Sequence, residues 1–138
     1  MGVLIDASVF IAHERGTLRA GSRLTGPRAE EACFVSVVTA SELLHGVERA
    51  GTAAVRLRRA AFVDAVLDRF PLLEVDLAAA RAHARLWAAL ASAGTLIGPH
   101  DLWLAAQALA HGHSLATGNV REFARVPGLV VEDWTREG

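Results

Sequence analysis

The feature that most restricts what this chain can fold into is a run of three aliphatic residues, Val3-Leu4-Ile5, followed at once by Asp6-Ala7-Ser8. A run that is apolar at every position needs cover on both faces, as a short buried strand has. Small and polar residues directly after it suit the start of a helix. Further short runs stand at Phe34-Val35, Leu72 to Val75, Ser114 to Ala116 and Leu129 to Val131. Between them the apolar spacing predicts helices from Val9 to Glu14, from Thr39 past Val47 to a stop at Gly51, and from Ala53 to Phe70, where Pro71 ends the pattern. Two more run from Leu77 to Ala93 and from Gly98-Pro99 to His111, and a helical turn follows from Asn119 to Ala124. Gly16 to Gly26 reads as a break. Strands alternating with helices predict an α/β fold in three layers, with a mostly parallel central sheet flanked by helices. With 138 residues, 52% of them hydrophobic and 21% charged, the expectation is one core and a single domain over 1–138.

Charge and cysteine usage narrow the function classes. Fourteen basic residues, all arginine, against fifteen acidic ones leave a formal net charge of -1, so the chain has no global attraction for polyanions. Any nucleic-acid contact needs a local patch. The lone Cys33, between Ala32 and Phe34, cannot form an internal disulfide or a cysteine-based zinc site and reads as a buried strand residue. The opening MGVLIDASVF lacks a signal pattern and no stretch is long and apolar enough to span a bilayer, so the expected location is the cytoplasm, with no membrane partner.

Four carboxylates carry the chemistry, and each has a structural reading beside the functional one. Asp6 follows the first strand, where the carboxyl end of a parallel strand delivers a side chain to the crevice used by α/β sites, and it equally suits a helix N-cap. Glu42 lies three residues after Thr39 and Glu122 three after Asn119, both in the pattern of a capping box. Asp101 falls near the third position of the helix opened by Gly98-Pro99, where free amides favour an acid. What distinguishes them is their joint placement at strand exits and helix starts on one expected edge. Four acids meeting there repel one another unless a divalent cation neutralises them, and an all-oxygen set suits Mg2+, with Mn2+ as the alternative. Such an ion would serve phosphodiester hydrolysis.

In the stretches VLIDASVFIA, VTASELLHGVERA, GPHDLWLAAQALAHG and LATGNVREFARVPGLVVEDW the chain resembles the PIN-domain ribonucleases, especially the VapC-type toxins of bacterial toxin-antitoxin modules. The four blocks occur in the family's order and span nearly the whole chain. The resemblance implies a metal-dependent endoribonuclease toxin acting on structured RNA such as transfer or ribosomal RNA, held inactive by a cognate antitoxin and forming a homodimer. It places the catalytic and metal-binding acids at Asp6, Glu42, Asp101 and Glu122, with Ser8 and Thr117 as supporting hydroxyls. Within that set Asp6 and Asp101 are assigned to direct metal contact, Glu42 to orienting metal or water, and Glu122 to a second metal or water. Water as the nucleophile would leave 5'-phosphate and 3'-hydroxyl ends. The sequence departs from many relatives at Asn119, where they carry aspartate.

The remaining polar residues have simpler readings. His111 and His113 flank Gly112 at a helix end, while His45 and His100 stand close to Glu42 and Asp101 and could touch substrate. Arg49, Arg56, Arg58, Arg59 and Arg69 form either a solvated helix face or a phosphate-facing surface. Trp87 and Trp103 suit core or dimer-interface roles, and Trp134 suits cover for the core edge. Exposed apolar residues in the Leu57 to Phe70 region are candidates for an antitoxin interface. The rival reading is a catalytically inactive PIN-like domain that binds protein or RNA; a receiver-like signalling domain also places acids at strand ends.

Overall fold

The computed structural model describes residues 2–16 and 32–135. In chain order they form β1 (Val3–Ile5), α1 (Ala7–Glu14), β2 (Cys33–Ser36), α2 (Val37–Glu48), α3 (Ala53–Arg69), β3 (Leu72–Leu73), α4 (Leu77–Ala93), α5 (Pro99–His111), β4 (Ser114–Thr117), α6 (Val120–Phe123) and β5 (Val131–Asp133). The strands make one sheet in the order β3-β2-β1-β4-β5, every neighbouring pair parallel. β1 is the middle strand, and its unbroken apolar run is buried at every residue. Val3 and Ile5 point into one cluster with Val9, Phe10, Val35, Val63 and Phe70, while Leu4 points into another with Leu86, Leu90, Leu102, Leu104 and Leu115. Alternation along the strand therefore feeds two cores, one under α1, α2 and α3 and one under α4 and α5.

The helix punctuation follows the sequence closely at α5: Gly98 is the N-cap, Pro99 opens the first turn, and Gly112 ends the helix in the left-handed region at φ 67°. Elsewhere the boundaries move. α1 already begins at Ala7. β5 spans Val131–Asp133, two residues beyond the expected Leu129 to Val131, because Leu115, Ala116 and Thr117 of β4 pair with Val131, Glu132 and Asp133. β3 is only Leu72–Leu73. The expected break from Gly16 to Gly26 lies outside the described residues from 17 onward.

A larger correction concerns α2. Its N-cap is Ser36, whose Oγ accepts from the Val38 amide at 3.0 Å, so strand runs into helix without a loop. Thr39 is fully buried inside the first turn and its hydroxyl has no hydrogen-bond partner, so the Thr39–Glu42 capping box does not form. The Leu57 to Phe70 region is mixed in space: Leu57 is exposed, Phe70 is buried, Phe62 and Leu67 pack against the core, and Phe62, Ala65, Val66 and Phe70 line an apolar hollow of about 270 Å³. Cys33 and Trp134 are both buried, as expected.

Candidate active site

Because all strands run the same way, their carboxyl ends open on one edge, and the helices that follow them begin there. Asp6 stands at the exit of β1 in extended backbone, with φ -76° and ψ 152°. Its side chain makes no cap hydrogen bond. Instead Oδ2 accepts from Ser8 Oγ at 2.7 Å and from Thr117 Oγ1 at 2.8 Å, a hydroxyl delivered by the exit of β4. Only 5% of Asp6 is exposed. Burying a carboxylate with two hydroxyl donors and no cation is costly as a purely structural device.

Ser8 and Thr117 are fixed in turn. The Gly118 amide donates to Ser8 Oγ at 3.0 Å, and the Asn119 amide donates to Thr117 Oγ1 at 2.9 Å. Gly118 is a close-approach position: a Cβ there would stand 2.5 Å from Thr135 Cγ2, so a side chain would push apart the turn that carries these donors.

A second group forms where α5 and α6 begin. Glu122 accepts from the Gly98 amide through Oε1 at 2.8 Å and from Asn119 Nδ2 through Oε2 at 2.6 Å. Asn119 Nδ2 also lies 3.4 Å from Asp101 Oδ2, a long contact. The Asn119–Glu122 capping box is thus not the one expected, since the Asn119 side chain caps no amide of α6 and instead binds the acid. The Gly98 amide foremost holds Glu122 below the usual carboxylate range. Asp101 moves the other way, pushed up to about 7 by burial first, then by its hydrogen bond with Glu122 and by the nearby charges of Asp6, Glu122 and Glu42.

Glu42, on the second turn of α2, is also raised, by burial and then by Asp6, with His100 opposing. Its Oε1 is buried without a hydrogen-bond partner. The fold thus brings Asp6, Glu42 and Glu122 within electrostatic reach of Asp101, Thr117 and Asn119 linking the two tight groups. They do not close on one point: among the described residues, no three His, Cys, Asp or Glu side chains are gathered as a metal site would gather them. The chemistry of the donors nevertheless fits a hard divalent cation, since they are all oxygens, one is a buried orphan, and Asp101 stands half-buried among three other acids.

Asn119 and Gln107 have larger roles than sequence reasoning assigned. In sequence Asn119 reads as a departure from aspartate and a capping candidate, whereas in the structure it bridges the acids. Gln107 is fully buried on α5; its carbonyl accepts from Ser36 Oγ and its amide donates to the Leu73 and Glu74 carbonyls at 3.2 Å each. It ties α5 to the ends of β2 and β3, and so helps to set Asp101 against Glu42. The one available signal is a lone amide in the apolar stretch Leu104-Ala105-Ala106-Gln107-Ala108.

Comparison with known proteins agrees with this architecture. Residues 3–129 match the PIN domain family. Ribonuclease VapC1 of Rickettsia felis is 35% identical over 131 residues, covering 95% of this chain and 95% of that protein. A tRNA(fMet)-specific endonuclease VapC of Salmonella typhimurium is 36% identical over 100 residues, 72% of this chain and 74% of the relative. Among solved structures, VapBC-5 from Mycobacterium tuberculosis, a member of the VapBC family of toxin-antitoxin systems, is similar with a TM-score of 0.73 and 37% identity, covering 95% of this chain and 94% of the other.

Proposed function

The chain belongs to the PIN-domain family and closely matches its VapC-type toxins, and from that premise we propose that it is a metal-dependent endoribonuclease toxin, neutralised by a cognate antitoxin, that hydrolyses structured RNA. The observation that carries the reading is the state of Asp101: three other acids from three other elements press on a half-buried carboxyl at the edge where α/β enzymes hold their ligands. Transfer RNA is the first substrate to try, in line with the Salmonella typhimurium relative. A homodimer and an antitoxin partner follow from the same kinship. No described helix is long and apolar enough to cross a membrane.

Asp6, Glu42, Asp101 and Glu122 would hold the ion, Mg2+ or Mn2+. When bound it supplies Lewis acidity and charge neutralisation for the phosphodiester under attack. The chain's own residues do the rest. Ser8 and Thr117 both donate to Oδ2 of Asp6, which holds that carboxylate in place at the exit of β1. The Gly98 amide and Asn119 hold Glu122 ionised at the start of α5. Asp101, whose pKa burial and the neighbouring acids push up to about 7, would bind the ion in competition with a proton. Glu42, with Oε1 free of protein donors, orients the ligand or the attacking water.

The test is incubation of unfractionated tRNA with wild type, Asp6→Asn and Asp101→Asn proteins, with Mg2+ and with EDTA, followed by mapping of the RNA ends. Wild type with Mg2+ is expected to leave 5'-phosphate and 3'-hydroxyl ends, and both variants and the EDTA arm are expected to leave the RNA intact. Equal cleavage by Asp101→Asn and wild type at saturating Mg2+ would overturn the assignment. Binding of RNA or antitoxin without any cleavage would favour the non-enzymatic rival.

A further inference from the structure

Glu42 faces two neighbourhoods. On one side it senses the charge of Asp6, and on the other it lines a narrow cleft of about 90 Å³ whose walls include Glu14, Arg15, Arg49 and Arg59. Beyond lies a wider hollow of about 490 Å³, lined by Glu14, Arg15, Val55, Arg58 and Arg59. Guanidinium groups thus line two hollows that share Glu14, Arg15 and Arg59, the first of which Glu42 also lines.

Helix electrostatics explain part of this and leave the rest. Arg15 and Arg49 are the C-cap residues of α1 and α2, where a cation is favoured by the helix dipole. That accounts for each arginine separately, but not for arginines from the ends of α1 and α2 and from α3 converging on one cleft, where three guanidinium groups outnumber the two carboxylates, Glu14 and Glu42, that share its walls. Arg56, one turn from Arg59 on α3, is paired with Glu48 at 2.7 Å. Arg15, Arg49 and Arg58 have no such ion pair among the described residues. Arg59 is held by one arm, its Nη1 donating to the Gly46 carbonyl at 2.9 Å, which presets the remaining donors of its fork.

An RNA strand approaching the carboxylate edge meets repulsion, and a chain of net charge -1 offers no distant attraction to offset it. Local cations beside the acids are what such a substrate needs. Resting on the RNA-cleaving reading above, we infer that the cleft beside Glu42 is a phosphate subsite, in which Arg49, Arg59 and Arg15 grip the RNA backbone next to the bond that is cut. The guanidinium fork matches a phosphate group, and a cleft this narrow and charged suits it better than an apolar peptide segment.

Binding is best measured in an Asp6→Asn background, where RNA is held without being cut, using fluorescein-labelled tRNA and anisotropy over a range of salt. Arg49→Ala and Arg15→Ala are each expected to weaken binding roughly fivefold and to lower the slope of log K against log salt by about 0.7, the loss of one phosphate contact. Arg49→Lys should keep the slope, because the charge remains. Arg81→Ala, at an exposed position of α4, should match the background. Circular dichroism melts of each variant confirm that the fold survives. Unchanged affinity and slope in both alanine variants, while wild type still cleaves tRNA with Mg2+, would overturn the subsite and leave the function standing. Unchanged RNA binding with loss of antitoxin binding would overturn it too, and make the cleft a protein interface. Absence of both cleavage by wild type and binding by Asp6→Asn would remove the RNA-cleaving reading and the subsite with it.

Discussion

Two consecutive helices, α4 and α5, begin with an aspartate in the first turn region, and the two acids behave in opposite ways. Asp76 is the N-cap of α4: its Oδ1 accepts from the Ala79 amide at 2.9 Å, its Oδ2 lies 2.9 Å from His111 Nε2, and it is held below the usual aspartate range, chiefly by the Ala79 bond. Asp101, three positions after the N-cap Gly98, is pushed up to about 7. A helix N-terminus favours an anion at both places. At α5 that preference is overridden by burial and by three neighbouring acids, whereas Asp76 stands in solvent with a histidine for company. A helix-start acid that the fold makes uncomfortable is the better sign of function, because comfort is what capping provides.

The largest expected effect separates the two sites by activity. Asp101→Asn should lower RNA cleavage by more than the roughly 10–100-fold typical of residues that only support a metal, whereas Asp76→Asn should leave the single-turnover rate at wild-type level. A similar rate for the two variants would erase the contrast. Next comes Glu122→Gln, expected to slow cleavage by about 10–100-fold and to raise the Mg2+ concentration required. Asn119→Asp should partly rescue it, by returning a carboxylate beside Asp101. A Glu122→Gln protein with wild-type rate and wild-type Mg2+ dependence would reduce the proposed site to Asp6, Glu42 and Asp101.

The sequence shows one side of this comparison well and the other poorly. Val3-Leu4-Ile5 marks a short buried strand that passes into a helix at Asp6, and Gly98-Pro99 marks the start of α5, because both signals are local. Which acids are used for capping was not legible, since that depends on where the amides and hydroxyls of distant segments lie. Asp6 and Glu122 each looked like cap residues, yet the donors to Asp6 include Thr117, 111 positions away, and Glu122 takes the Gly98 amide, 24 away. Ser36 escaped notice as the cap of α2 because β2 enters the helix without an intervening loop. Gln107 escaped for the same reason as the acids, its hydroxyl partner being 71 residues distant.

A smaller effect concerns the sign of the pH dependence without metal. Asp101 has a native pKa of about 7 above its ordinary 3.8, so the native state binds the extra proton between those values. Its contribution to stability is therefore present below about pH 4 and is lost as the pH rises through about 7. Asp76, lowered in the native state, contributes above its ordinary value of 3.8 and loses that contribution as the pH falls through its native pKa. In EDTA, thermal melts should show Asp101→Asn gaining on wild type as the pH rises from 4 to 7, with Asp76→Asn losing ground slightly at neutral pH and converging on wild type in acid. The reverse order would contradict the electrostatic account of both sites. The smallest effect is the Asp76→Asn change itself, a slight fall in Tm at pH 7, since the site lies at the surface.

The most direct measurement is Mn2+ binding followed by electron paramagnetic resonance in wild type, Asp6→Asn, Asp101→Asn and Asp76→Asn proteins at one pH and ionic strength. If the acids at the exits of β1 and β4 and the starts of α2 and α5 hold a divalent ion together, wild type and Asp76→Asn will bind Mn2+ alike, and Asp6→Asn and Asp101→Asn will each bind it at least about tenfold more weakly. Equal Mn2+ affinity in all four proteins would contradict the account.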